Sequence, residues 1–587
     1  MILHALMEYY QRKTRDPDSQ LAPSGFEWKE IPFLIVLDAA GKLVQIEDTR
    51  TPHGKKLRAR SFLVPQAVKK TSGIAANLMW DNAEYVLGVP IKGKPERVAE
   101  QHAAFKARLA SLPQDEPAMQ AVQAFLAALP MAELASQPEW EELRTTNPNL
   151  CFKLLGDTDT ICDRSALIDA VHAANNDTPD DAVQGLCLVT GEHTQIERLH
   201  PAIKGVWGSQ STGANIVSFN QRAFESYGKE LRQGENAPVG KQAVFAYTTA
   251  LNHLLGKDSV QRVQVGDAST VFWADRPCEL ETQLPLFIND PPKDNPDACT
   301  QAVKALLKSI QKGALPSLEE PRRFYVLGLS PNVARLSVRY WHHGTVVEMS
   351  QRWATWFSDL QIDHAVYEQD CLPLFRLLLA TATQDKADNI PNGLAGDIMR
   401  AILTGSVYPA TMLQAVIRRI HATQTVTYAR AALLKAYLNR LARQAASHQE
   451  EITVSLNTEN KHTGYLLGRL FAVLERVQEE AHDRTLSATI RDRFYGAAST
   501  TPVTVFPNLI KLSMHHQTKM EKKQSKEVSQ CLQVLEGCFD EIFEKINDIS
   551  GFPSHMSIEE QGYFAIGYFQ QRQVLPRCKN SEQGETA

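Results

Sequence analysis

The chain has 587 residues, too many for one hydrophobic core, so a division into two to four domains is expected. It is 43% apolar and 22% charged, with a mean hydropathy of −0.28 and a formal net charge of −5, so bulk charge does not mark a nucleic-acid binder. The nine cysteines are odd in number and form no CxxC pair, which fits reduced thiols in a cytoplasm better than a disulfide framework or a zinc site.

In chain order, the opening MILHALMEYYQRKTRD lacks both the basic start and the apolar run of a signal peptide. The longest apolar strip, Ile31 to Leu37, has strand length, far short of a membrane span. A soluble cytoplasmic protein without membrane association is expected. FLIVLDAAGKLVQIED (Phe33 to Asp48) predicts two strands joined by a tight turn at Asp38 to Gly41. Residues 96 to 145 predict helices interrupted near Pro113, Pro117 and Pro130. Ile216 to Phe219 is strand-like, and the Pro-, Asp- and Asn-rich run from Gln283 to Thr300 predicts an exposed loop. RRFYVLGLSPNVARLSVRYW (Arg322 to Trp341) predicts two strands with Ser330, Pro331 and Asn332 between them.

After about residue 370 the period changes from two to 3.6. Helical patterns cover Leu374 to Ala380, Ala410 to Ile420, Ala429 to Ala445, Gly464 to Ala481 and Val528 to Ile549. In the last, Val528, Cys531, Leu532, Leu535, Cys538, Phe539, Ile542 and Ile546 form one apolar stripe; Gly551-Phe552-Pro553 ends it, and a final helix follows from Ser557. The expected fold class is α+β: a mixed α/β N-terminal domain over 1–370 and a C-terminal α-helical bundle over 371–587.

The acids are unevenly spread. LHPAIKGVWGSQSTGANIVSFN (Leu199 to Asn220) has an apolar, cationic entry and a Gly-, Ser- and Asn-rich centre, and no acid stands between Glu197 and Glu225. Between Asp48 and Asp81 there is again none, against Arg50, Lys55, Lys56, Arg58, Arg60, Lys69 and Lys70. The same holds between Asp397 and Glu450, around Arg400, Arg418, Arg419, Arg430, Lys435, Arg440 and Arg443, and between Glu320 and Glu348, around Arg322, Arg323, Arg335 and Arg339. Such windows suit a surface that tracks a polyanion, although each is also compatible with a face whose acidic partners come from elsewhere in the fold.

No catalytic constellation emerges. GxxxxGK[ST], HExxH and GxSxG are absent, and GVWGSQSTG lacks dinucleotide-fold spacing. His482-Asp483 is the one pair that a metal-dependent nuclease or phosphohydrolase could be built on, but such chemistry needs further ligands. Cys187, His193 and His200 lack zinc-site spacing. The chain is expected to be no enzyme and to hold no metal or cofactor.

Four blocks carry a family resemblance: KKTSGIAANLMWDNAEYVLG (Lys69 to Gly88), LCLVTGEHTQIERLHPAIKGVWGSQSTGANIVSFNQRAFESYGKEL (Leu186 to Leu231), FYVLGLSPNVARLSVRYW, and GYFAIGYFQQRQ (Gly562 to Gln573). In their order and spread the chain resembles the large subunit of the type I-C CRISPR surveillance complex, Cascade. The resemblance implies a non-catalytic subunit that recognises the protospacer-adjacent motif (PAM) in double-stranded DNA, promotes duplex opening and R-loop formation, and stabilises the displaced strand. It implies as partners the guide crRNA, target double-stranded DNA, the Cascade backbone and 5′-handle-binding subunits, small subunits made from the same gene with a start near residues 450 to 465, and a recruited helicase-nuclease. A pure assembly protein that never touches DNA is the remaining alternative.

Guide pairing would read the target, leaving the protein only the PAM and the duplex shape. The minor groove is about 6 Å wide and admits a slim loop of small donors. Ser209, Gln210, Ser211, Thr212, Asn215 and Asn220, with Lys204 for a phosphate, fit that role; Lys69, Lys70, Thr71, Ser72 and Asn77 form a second candidate loop. Either loop could instead be a structural turn or a contact to a neighbouring subunit. Lys55, Lys56, Arg58, Arg60, Arg418, Arg419, Arg430, Lys435, Arg440 and Arg443 are the candidate backbone or strand contacts.

Overall fold

The computed structural model describes residues 1–16, 19, 21–53, 56–68, 73–176, 183–229, 232–312, 321–445, 450–483, 485–523, 525–549 and 551–575. They form two compact units, the first from Met1–Gly205, Gln210–His253 and Val333–Arg335, the second from Val206–Ser209, Leu254–Asn332 and the chain from Leu336 onward.

The first unit opens with α1 (Ile2–Thr14). Seven strands follow: β1 (Phe26–Glu30), β2 (Phe33–Leu37), β3 (Leu43–Asp48), β4 (Thr51–His53), β5 (Lys56–Arg58), β6 (Ser61–Pro65) and β7 (Trp80–Asn82). Then come α2 (Ala83–Leu87), α3 (Pro95–Leu109), α4 (Pro117–Ala128), α5 (Met131–Ala135), α6 (Trp140–Thr146), β8 (Asn149–Leu154), α7 (Ser165–Asn176), β9 (Gln184–Leu186), β10 (His193–Gln195) and α8 (Lys241–Leu254). The main sheet has the order β3-β2-β8-β7, with β2 parallel to β8, Ile35 opposite Phe152, and antiparallel to β3, Ile35 opposite Ile46. Every residue of β2 is buried, as an unbroken apolar strand flanked on both sides requires. The β2–β3 turn is the predicted one: Asp38 Oδ1 accepts from the Ala40 and Lys42 amides. Pro95 and Pro117 each stand at a helix start, where a missing N–H costs nothing.

The second unit starts with an antiparallel meander, β11 (Arg262–Val265), β12 (Ala268–Ala274), β13 (Arg323–Asn332) and β14 (Arg335–Thr345), adjacent in that order. Its helices are α9 (Leu280–Ile288), α10 (Ala298–Gln311), α11 (Val346–Leu360), α12 (Leu374–Leu379), α13 (Leu394–Thr404), α14 (Ala410–Thr423), α15 (Tyr428–Gln444), α16 (Thr463–Ala481), α17 (Ile490–Thr500), α18 (Pro502–Glu521), α19 (Lys526–Ile549) and α20 (Ile558–Val574). One hydrophobic core runs from Val263 through Leu575, so the meander and the helices share it, and the change of texture near residue 370 falls inside this unit. α16 and α20 lie at its centre and are buried around nearly their whole circumference. The final helix starts as predicted, Ser557 and Glu560 forming a reciprocal capping box. On α19 the stripe faces inward, with Leu535 and Ile542 fully buried.

The α+β class holds: strands precede residue 346, and only helices follow among the described residues. Three local expectations are corrected. Ile216 to Phe219 is not a strand; pairing is confined to isolated bridges at Ala214 and Asn215. Residues 283–288 are not loop but the end of α9, because Leu284, Phe287 and Ile288 bury against the core despite Pro285. Ser330 to Asn332 belongs to β13, and the reversal falls on Val333 and Ala334, with Val333 in the left-handed region at φ 55°. No helix among the described residues is long and apolar enough to cross a membrane.

Candidate nucleic-acid interface

The acid-free stretch at 199–220 forms a loop with a closed neck. Ile203 and Ala214 exchange both backbone hydrogen bonds, at 2.8 and 2.9 Å, and Gly213, at φ 89°, lies so close that a β-carbon would stand 2.7 Å from the Ile203 carbonyl oxygen. Below the neck, Asn215 Nδ2 donates to the His200 carbonyl at 2.7 Å and its backbone amide donates to the Ala334 carbonyl at 3.1 Å. Above it, Lys204, Gly205, Trp207, Gly208, Gln210, Ser211 and Thr212 are exposed, while Val206 is buried.

The candidates in this loop therefore separate. Lys204, Gln210, Ser211 and Thr212 present their side chains to solvent. Ser209 Oγ donates to the Val206 carbonyl at 2.7 Å and stabilises the turn. Asn215 is a correction as a base reader, because its amide donors are spent on the loop's own base. Asn220 is exposed and its Oδ1 accepts from Arg335, whose guanidinium also lies 4.1 Å from the Phe224 ring centroid.

Of the second candidate loop, Lys69, Lys70, Thr71 and Ser72 lie outside the described residues, as does Lys55. Asn77 is corrected: it is 4% exposed, its Oδ1 accepts from the Val68 amide at 3.1 Å and its own backbone amide donates to Asp81, so it is held inside the fold rather than facing a ligand. Nearby, Lys29 Nζ lies 5.0 Å from the Trp80 ring centroid. Burial, and after it the Lys204 ammonium, hold Lys29 below the usual lysine pKa, against Glu27, Asp81 and Glu30. Lys29 and Trp207 were not among the sequence candidates, and Arg335 was named only within its acid-free window; Lys29 sits in an acid-bearing segment, and its contact with Trp80 exists only in the folded chain.

The outer cations divide again. Arg58 pairs with Glu30 at 3.5 Å and Arg60 with Asp159 at 2.5 Å, while the backbone of Lys56 lies in β5. Arg418 is exposed and Arg419 is half-buried. Arg430, Lys435 and Arg440 are corrections, being 3–5% exposed. Arg430 donates to the Ala380 and Thr425 carbonyls, Lys435 to the Asp359 carbonyl, and Arg440 pairs with Asp359. Arg443 pairs with Asp359 and with Glu451. This window lacks acids in sequence because its acids arrive from α11 and from the segment before α16.

The His482-Asp483 alternative is not supported. Asp483 forms a 2.7 Å ion pair with Lys523, His482 Nδ1 lies 3.1 Å from the Gln478 carbonyl, and the ring 5.1 Å away belongs to His516. Among the described residues no group of three or more His, Cys, Asp or Glu is placed to hold a metal ion. Cys187 Sγ accepts from the Val189, Thr190 and Gly240 amides, and His200 Nδ1 lies 2.5 Å from the Tyr247 hydroxyl.

The geometry is that of a braced polar loop with exposed Lys204 at its tip and Arg335 paired with Asn220. No curated protein matches the sequence. The family model described as CRISPR-associated protein (Cas_Csd1) matches residues 6–575, nearly the whole chain, and the chain belongs to that family.

Proposed function

We propose that this CRISPR-associated, Cascade-type protein is the non-catalytic large subunit of a type I-C Cascade, and that it meets the PAM-bearing duplex through the tip from Lys204 to Thr212. The observation that carries this reading is the tip itself: exposed Lys204, Gln210, Ser211 and Thr212, no acid within it, and a neck locked by the Ile203–Ala214 pair. Small donors on a fixed support suit a narrow groove, while the exposed Lys204 suits a phosphate. The protein then promotes duplex opening and R-loop formation, with the sequence read by the crRNA and cleavage left to a recruited helicase-nuclease. Arg418, exposed on α14, remains a candidate contact for the displaced strand.

The reading includes small subunits made from the same gene, starting near residues 450 to 465. Its support is the packing of α16 against α17, α18, α19 and α20, a five-helix group that follows that region. Cascade backbone and 5′-handle-binding subunits complete the partner set.

The test is binding of PAM-bearing duplex by the assembled, guide-loaded complex. Combined Lys204→Glu, Gln210→Ala and Thr212→Ala substitution is expected to weaken duplex binding at least about tenfold, with guide-RNA assembly intact. Wild-type binding by that variant would remove the tip from the function.

A further inference from the structure

We propose that Trp207 is a stacking platform for an unpaired nucleobase, an inference that rests on the DNA-contacting role proposed above and names what the loop holds once the duplex opens. Trp207 is 65% exposed, the most exposed of the chain's eight tryptophans; Trp80, Trp273, Trp353 and Trp356 are at most 2% exposed. Its exposure does not come from a loose backbone. The Trp207 amide donates to Ser269 Oγ at 2.9 Å, and Ser269 Oγ in turn donates to Gln264 Oε1 at 3.1 Å. The preceding Val206 is 4% exposed, and its carbonyl accepts from both the amide and the hydroxyl of Ser209, at 3.1 and 2.7 Å. Gly208, at φ 76°, continues the turn with Pro331 at its back. The pivot of the indole is thus held in place while the ring stands in water.

Two features favour a base over a protein pocket as its occupant. An aromatic anchor for a protein is ordinarily surrounded by further contacts that exclude water. Here the chain on either side is Gly205, Val206, Gly208, Ser209, Gln210, Ser211 and Thr212, of which the one large apolar side chain, Val206, is turned inward. No carboxylate lies between Glu197 and Glu225 to repel a phosphate backbone, and Lys204 precedes the ring by three residues. Stacking suits this role because every base offers a π-face, so the platform serves any target.

The experiment uses the assembled, guide-loaded complex and PAM duplexes carrying 2-aminopurine at successive positions beyond the motif. Permanganate reactivity of thymines reads opening, and 2-aminopurine emission reads stacking. Trp207→Ala is expected to slow or weaken opening by between about 5- and 150-fold, the worth of one aromatic–base stack. Emission should rise at one position, and Trp207→Phe should recover part of both signals. Opening and emission equal to wild type in Trp207→Ala overturn the proposal. So does loss of a partner subunit from the variant complex, which would make the indole a protein contact. Failure of the wild-type complex to bind the duplex would instead overturn the DNA-contacting role, and this proposal with it.

Discussion

Arg440 Nε and Nη2 both donate to Asp359 Oδ2, at 3.2 and 3.0 Å, and the two side chains are only 6% and 4% exposed. Tyr408 donates to the same oxygen at 3.0 Å, and Arg443 adds a second guanidinium. Breaking a buried pair from one side leaves an enclosed charge uncompensated, at about 3–5 kcal/mol. Asp359→Ala should therefore lower unfolding stability by about that amount in chemical denaturation. The double variant Asp359→Leu with Arg440→Met should be more stable than Asp359→Ala alone. Equal stability of Asp359→Ala and wild type would contradict this placement of Arg440.

The crossing of α16 and α20 depends on Gly468, where a β-carbon would lie 2.0 Å from the Phe564 carbonyl oxygen. The obstacle is backbone in a buried helix, so a side chain there must push the helices apart. Gly468→Ala is expected to cost at least about 1–3 kcal/mol, the usual range for overpacking, although alanine is the better helix former. Thermal denaturation decides it: a rise in melting temperature would mean that the helices do not touch there.

Phosphate contact by Lys204 has an ionic-strength signature. In the assembled complex, Lys204→Gln should weaken duplex binding similarly for all target sequences. It should also reduce the slope of log K against log salt by about one. A slope identical to wild type would assign the ammonium some other partner.

His342 on β14 lies 2.8 Å from Arg352 Nη1 of α11, an arrangement that needs the neutral imidazole as acceptor. Burial first, then Arg352 and His343, lower its pKa to about 4. Between pH 6.5 and about 4 the unfolded chain binds the extra proton and the folded chain does not, so this residue's contribution to stability is present above pH 6.5 and is lost on acidification. Denaturation midpoints from pH 7 to pH 5 should fall less in His342→Gln than in wild type. An unchanged pH dependence would separate His342 from the effect.

How much could be read in advance varies with the kind of information. The turn at Asp38, the break at Pro117 that opens α4, and the Ser557 start of α20 are local signals, and each is placed as predicted because it acts within a few residues. In the misread segment at 283–288, burial overrides local preference. Pro285 suggests a loop, yet Leu284, Phe287 and Ile288 gain more from the core than the proline costs. Thr345 and Glu348, which cap α11, stand at capping-box spacing in the sequence, but the helix they start was not predicted.

The sequence by itself determined the α+β class, the helical period of the C-terminal part, the exposed polar character of the loop around Gln210, and membership of a CRISPR-associated family. Tertiary structure alone decided which cations are available. Arg440 and Arg418 stand in the same acid-free window, yet one is enclosed against Asp359, 81 positions earlier, and the other faces solvent. It also decided that Lys29 lies over the Trp80 ring and that Trp207 is exposed on a fixed backbone. Composition and period are local properties, whereas burial and ion pairing belong to residues that only folding brings together.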